Sequence, residues 1–174
     1  SHHPETGLLT RRALADTLDM RQRPYAIAHI QLRGLQMVAD TLGHQIGEQV
    51  LRTVATRLGG LGGRCGRVAV LRGEDFILAI RGRYDLQHVL EHLSTVVSEP
   101  VRGPESFHQL QAHIGVDICS DGSQPADTVM ARAAQAAYAA REHGGLVRHY
   151  DAQVAQRLTS RLHLAARIHT AIEH

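Results

Sequence analysis

Aromatic side chains are scarce: two Phe, four Tyr and no Trp make up 3% of the 174 residues. That argues against a protein that stacks nucleobases on aromatic platforms. The two cysteines, Cys65 and Cys119, form neither a metal-binding motif nor a disulfide framework, which fits a reducing compartment. Charge of one sign is missing too, since 19 basic minus 17 acidic side chains leave +2. The basic residues are spread rather than massed, so no electrostatic nucleic-acid or membrane binder is suggested. No apolar run approaches the roughly 18–20 residues needed to span a bilayer, and no signal peptide is visible. The expectation is a soluble cytoplasmic domain without membrane contact.

What is present suits one ordinary domain: 43% apolar residues over a length sufficient to bury a core without staples. Thirteen histidines invite a metal reading. They are scattered, however, and His88 with His92 is the only clear i, i+4 pair on an expected helix. Without a neighbouring Glu that pair reads as two solvated side chains.

The hydrophobic period alternates between two and 3.6 along the chain. Arg12–Leu18 reads as a helix, and Tyr25–Leu32 as a buried strand stopped near Gly34. Leu35–Leu42 and His44–Leu58 read as helices parted at Gly43; Ile46, Val50, Val54 and Leu58 give the second a core stripe. The glycines from Gly59 to Gly63 do not fit a phosphate-binding fingerprint and are expected to form a flexible loop. Arg67–Leu71 and Phe76–Arg81 flank the polar Arg72-Gly-Glu-Asp75 as a hairpin. Helices over Tyr84–Glu99 and Ala126–Glu142 alternate with strands over Phe107–Cys119 and Leu146–Tyr150. The order is αβααββαβαβ, an α+β fold with one mostly antiparallel sheet flanked by helices. Beyond it, Val154, Leu158, Leu162, Ala165, Ile168 and Ile172 recur every three or four residues, predicting a long helix over Ala152–His174. It is expected to connect to a further domain or to pair with a second copy in a homodimer.

Four segments in register resemble a known family. Thr6-Gly-Leu-Leu-Thr-Arg-Arg12 is similar to the TGLxNRR opening of GGDEF domains, the diguanylate cyclases that join two GTP molecules into cyclic di-GMP. Asp40-Thr-Leu-Gly-His44 resembles their NDxxGH segment, and Gly73-Glu-Asp-Phe76 sits where the GG(D/E)EF signature lies. Tyr138-Ala-Ala-Arg-Glu-His-Gly144 is similar to their Y-x-A-K-x-x-G run. The resemblance implies a ferredoxin-like, nucleotide-cyclase-like sheet over residues 1–151, with 152–174 leading toward a cyclic di-GMP phosphodiesterase (EAL) domain.

The same comparison exposes departures. Gln31 stands where the family has a magnesium-binding Asp, and an amide carries no charge to hold a divalent ion. Gln36 replaces a lysine, and Ala39 replaces an Asn that reads guanine, while Glu48 keeps the second, acidic reader. The signature becomes Arg72-Gly73-Glu74-Asp75-Phe76, with Arg72 for the first glycine and Asp75 for the usual Glu. Arg141 stands for the late lysine, and a phosphate-binding Arg is lost at Leu146. The product-inhibition pair falls on Gly63 and Gly66 and is absent.

These departures imply a degenerate signature without catalysis, hence a regulatory or interaction domain. Nucleotide contacts, if kept, fall to Arg33, Gly34, Asp40, His44, Glu48 and Arg141. Glu74 and Asp75 are the only metal candidates, with Mg2+ entering solely alongside GTP and no cofactor required. The two acids either occupy a solvated turn or belong to a site that binds GTP without turnover, with Arg33 and Arg72 neutralising phosphates. The rival from the enzyme class is a weakly active cyclase working through Glu74 and Asp75. An RNA-binding module on a similar sheet is disfavoured by the missing aromatics. Two residues tempt a chemical role and read as structural instead: His44 at a helix turn, and Cys65 as an ordinary surface thiol rather than one activated by Arg64 and Arg67.

Overall fold

The structure is a computed structural model that describes residues 7–71, 74–153, 156 and 157. Its elements run β1 (Leu9–Thr10), α1 (Arg11–Arg21), β2 (Tyr25–Arg33), α2 (Leu35–Leu42), α3 (His44–Cys65), β3 (Gly66–Val70) and β4 (Asp75–Arg81). There follow α4 (Leu86–Ser98), β5 (Val101–Arg102), β6 (Phe107–His108), β7 (Gln111–Cys119), α5 (Ala126–His143) and β8 (Val147–His149). Six strands form one sheet in the order β1-β3-β4-β2-β7-β8. Its centre, β3-β4-β2-β7, is antiparallel, and parallel strands β1 and β8 close the two edges.

Strand alternation divides the core between two faces. Ala28, Ile30 and Leu32 of β2 join Leu78, Ile80, Ile114 and Val116 beneath α3 and α4. Tyr25 and Ile27 point the other way, with Ile77 and Cys119, beneath α1 and α5. The Ala-rich α5 lies unusually close to the sheet at Gly115, where a Cβ would overlap the Ala133 carbonyl and the Ala137 amide. Local signals start the helices: the Thr10 side chain accepts from Ala13 N, and Asp85 accepts from Gln87 N and His88 N.

The α+β fold with its hairpin around the signature is as expected, and several details differ. The Gly59–Gly63 segment is the last part of α3, not a loop. Each glycine weakens a helix by roughly 1 kcal/mol, but the buried stripe Val50, Val54, Leu58, Leu61, Cys65 continues through the segment and holds it helical. Gly62 also has no room for a side chain, because a Cβ there would meet Val68 Cγ2. Cys65 is therefore buried on the helix, its Sγ 3.4 Å from Leu61 O, and not a surface thiol. Burial raises its pKa above the ordinary thiol value, the reverse of activation.

The expected strand Phe107–Cys119 is two strands. Phe107–His108 pairs with Val101–Arg102 in a separate ribbon, and Leu110 then turns into the core before β7 begins. The sequence order also lacked β1 and β5, which are two residues long and carry no periodic signal. The anticipated connector over Ala152–His174, with its homodimer contact, lies outside the described residues except for 152, 153, 156 and 157.

Candidate functional site

The β3–β4 hairpin carries the signature to one end of the sheet. Leu71 N donates to Asp75 O at 2.8 Å, closing the hairpin, and Leu32 N donates to Glu74 O at 3.1 Å, tying it to β2. A cleft of 170 Å³ opens there, lined by Gln31, Leu32, Arg33, Gly34, Glu74, Asp75 and Arg141. Sheet register builds its floor: Gln31 stands directly opposite Asp75 on one side and His113 on the other. Gly34 has a φ of +104°, a left-handed conformation that suits glycine, and turns the chain from β2 into α2.

The floor is polar and only partly satisfied. His29, two residues before Gln31 and on the same face, places Nε2 3.3 Å from Asp75 Oδ2. His29 is the buried polar member of the described core at 7% exposure. Gln31 Oε1 and His113 Nε2 are buried without a hydrogen-bond partner among the described residues. The other ring nitrogen of His113 lies 3.4 Å from Gly145 O.

Five of the residues expected at a nucleotide site meet here: Arg33, Gly34 and Arg141 beside Glu74 and Asp75. Three do not line the cleft. Asp40 on α2 accepts from Gln36 Nε2 at 2.8 Å, Glu48 on α3 forms an ion pair with Arg52 at 3.5 Å, and His44 is exposed at the start of α3. Phe76 points to the opposite face and is fully buried, a core residue of the hairpin. Arg72 and Gly73 lie outside the described residues. His29 was missed from sequence, although its signal was available: the i, i+2 spacing to Gln31 on a strand puts both side chains on one face. His88 and His92 are both exposed on α4.

Comparison with known proteins places this arrangement. An uncharacterised 19.3 kDa protein of Streptomyces ambofaciens is 35% identical over 143 residues, covering 79% of this chain and 76% of its own length. The bifunctional diguanylate cyclase/cyclic di-GMP phosphodiesterase MucR of Pseudomonas aeruginosa is 28% identical over 152 residues. That match covers 82% of this chain but only 22% of MucR. Among solved structures, the GGDEF domain of TpbB (YfiN) from Pseudomonas aeruginosa superposes with a TM-score of 0.75 at 19% identity. It covers 91% of this chain and 99% of that domain, a likeness of fold. The family model described as "Diguanylate cyclase, GGDEF domain" matches residues 2–146, and the chain belongs to that family.

Proposed function

We propose that this GGDEF domain is a non-catalytic regulatory module of cyclic di-GMP signalling, which takes GTP into the signature cleft without turning it over. The observation that carries the reading is Gln31, an amide held between Asp75 and His113 at the floor of the cleft. Magnesium is bound through carboxylate and phosphate oxygens in near-octahedral geometry. The cleft offers Glu74 and Asp75, and Asp75 is already engaged by His29. Two guanidiniums, Arg33 and Arg141, share the same 170 Å³. Among the described residues, no three His, Cys, Asp or Glu side chains are grouped to hold a metal. This donor set does not fit the metal that the family uses, so no chemical step is drawn through it.

Phosphoryl transfer relies on positioning and charge compensation more than on covalent help from the protein. Losing a metal ligand removes several kcal/mol of that compensation. At about 1.4 kcal/mol per decade, the deficit amounts to a rate loss of ~10³ or greater. Arg33 and Arg141 still offer phosphate-binding forks, which supports retention of the nucleotide. The likeness to MucR, whose printed description joins cyclase and phosphodiesterase, supports an EAL domain linked beyond residue 152 as the element regulated.

The deciding experiment incubates the chain with GTP and either Mg2+ or Mn2+, with calorimetric titration of GTP alongside. Saturable GTP binding with no cyclic di-GMP above a protein-free blank is expected. Sustained multiple turnover would establish the rival, a weakly active cyclase working through Glu74 and Asp75.

A further inference from the structure

A second cavity lies at the opposite end of the sheet. The first residue of β2, Tyr25, lines it, whereas Gln31 lines the signature cleft. Six residues of extended strand separate the two by about 20 Å. This cavity encloses 590 Å³, against 170 Å³ for the signature cleft.

Five arginines from four segments surround it: Arg21 at the end of α1, Arg23 in the link to β2, Arg67 on β3, Arg81 at the end of β4, and Arg83 just beyond. All five are exposed. None is in an ion pair among the described residues, whose five ion pairs lie elsewhere. Arg83 does lie against its neighbour Tyr84, 5.1 Å above the ring. The floor is apolar, formed by Leu14 and Leu18 of α1 with Pro24, Ala79 and Ile80. Like charges converging on one hollow repel one another, and an anion entering it would relieve that repulsion.

We infer that this cavity is a binding site for an organic polyphosphate, a ligand with several phosphates on a planar or apolar body. The volume falls in the range of small-molecule sites, roughly 300–1,000 Å³. Guanidinium forks match phosphate oxygens two by two, and arginines on separate segments suit more than one phosphate. The apolar floor accounts for the body, which a free inorganic anion lacks. The cavity adjoins Gly63 and Gly66, where the family carries its inhibitory Arg and Asp, but neither of those side chains exists here. The arginines around it are a different set. The inference does not depend on the signature cleft.

The test uses the 174-residue chain in buffer containing EDTA, titrated calorimetrically with ATP and, separately, with inorganic tripolyphosphate. Saturable ATP binding that weakens as salt is raised is expected, with tripolyphosphate binding less tightly. The exposed-site variant R67E/R81E should weaken ATP by tenfold or more. R21Q/R83Q, which leaves both strands untouched, should weaken it in the same direction and guards against misfolding of the first. R141E, in the signature cleft, should leave ATP affinity unchanged. Absence of saturable binding, or equal affinity in both double variants, would overturn the site. Loss of ATP binding in R141E instead would place the anion in the signature cleft. Tripolyphosphate binding as tightly as ATP would remove the organic body from the assignment.

Discussion

His29 and Asp75 meet diagonally across the β2–β4 ladder, Nε2 3.3 Å from Oδ2, with the imidazole side chain 8% and the carboxylate 30% exposed. The register explains the diagonal: Gln31 is the direct partner of Asp75, and His29 is the partner of Ile77. The shortened signature acid is thus held down onto the sheet by a histidine from the neighbouring strand. A carboxylate so engaged is less available to anything that enters the cleft above it.

Replacing His29 by Ala should therefore do two things. It leaves the Asp75 carboxylate without its partner and opens a small void, which costs roughly 1–3 kcal/mol. Urea unfolding would register this as a lower midpoint with little change in slope. His29→Gln, which keeps a donor, should recover part of the loss. An Ala variant as stable as the parent would mean that the pair contributes nothing.

Restoring the carboxylate alone should not restore chemistry. Gln31→Asp is expected to yield no cyclic di-GMP from GTP with Mg2+ or Mn2+, because Ala39 and Arg72 still depart from the family pattern. The variant should also lose stability, since a third acid joins Glu74 and Asp75 in the same small cleft. Product formation by this single variant would show that the metal ligand was the sole defect.

Gly115 is expected to tolerate no side chain. Gly115→Ala would drive its Cβ into the backbone of α5 at Ala133 and Ala137. Overpacking of this kind costs typically 1–3 kcal/mol, and backbone on both sides leaves little room to relax. Thermal unfolding of the variant should show a midpoint lower by several degrees. By contrast, Gly63→Ala, where a Cβ meets nothing within 4 Å, should be neutral or stabilising because it removes a helical glycine.

Asp117 on β7 supplies a pH dependence. Burial raises its carboxyl pKa above the ordinary value, partly offset by a backbone hydrogen bond at Ile118 and the charge of Arg132. The folded chain therefore keeps a proton at a pH where the unfolded chain has already lost it. Stability contributed by this group is full below the unfolded pKa and falls as pH rises through the folded one. Asp117→Asn should be more stable than the parent near neutrality, with the difference shrinking toward about pH 4. Urea midpoints measured across that interval would check the sign; a variant less stable at neutral pH would reverse the argument.

Much of this molecule was written in local pattern. The alternation of Tyr25–Leu32 determined a buried strand and placed His29 and Gln31 on a common face. The stripe of Val50, Val54 and Leu58 determined a helix, and the polar Arg72–Asp75 between two apolar runs determined a hairpin. These signals are local because each depends on side chains only a few residues apart. The fate of Gly59–Gly63 was not local: its glycines favour a loop, and only the core beneath Leu61 and Cys65, with Val68 against Gly62, makes the segment helical. The contact of His29 with Asp75 spans 46 positions in sequence and exists because β2 and β4 pair in one register. The ring of Arg21, Arg23, Arg67, Arg81 and Arg83 is likewise spread through the chain, where it reads as scattered charge. Sheet pairing and the seat of α1 bring it together, and that convergence is a property that only tertiary packing decides.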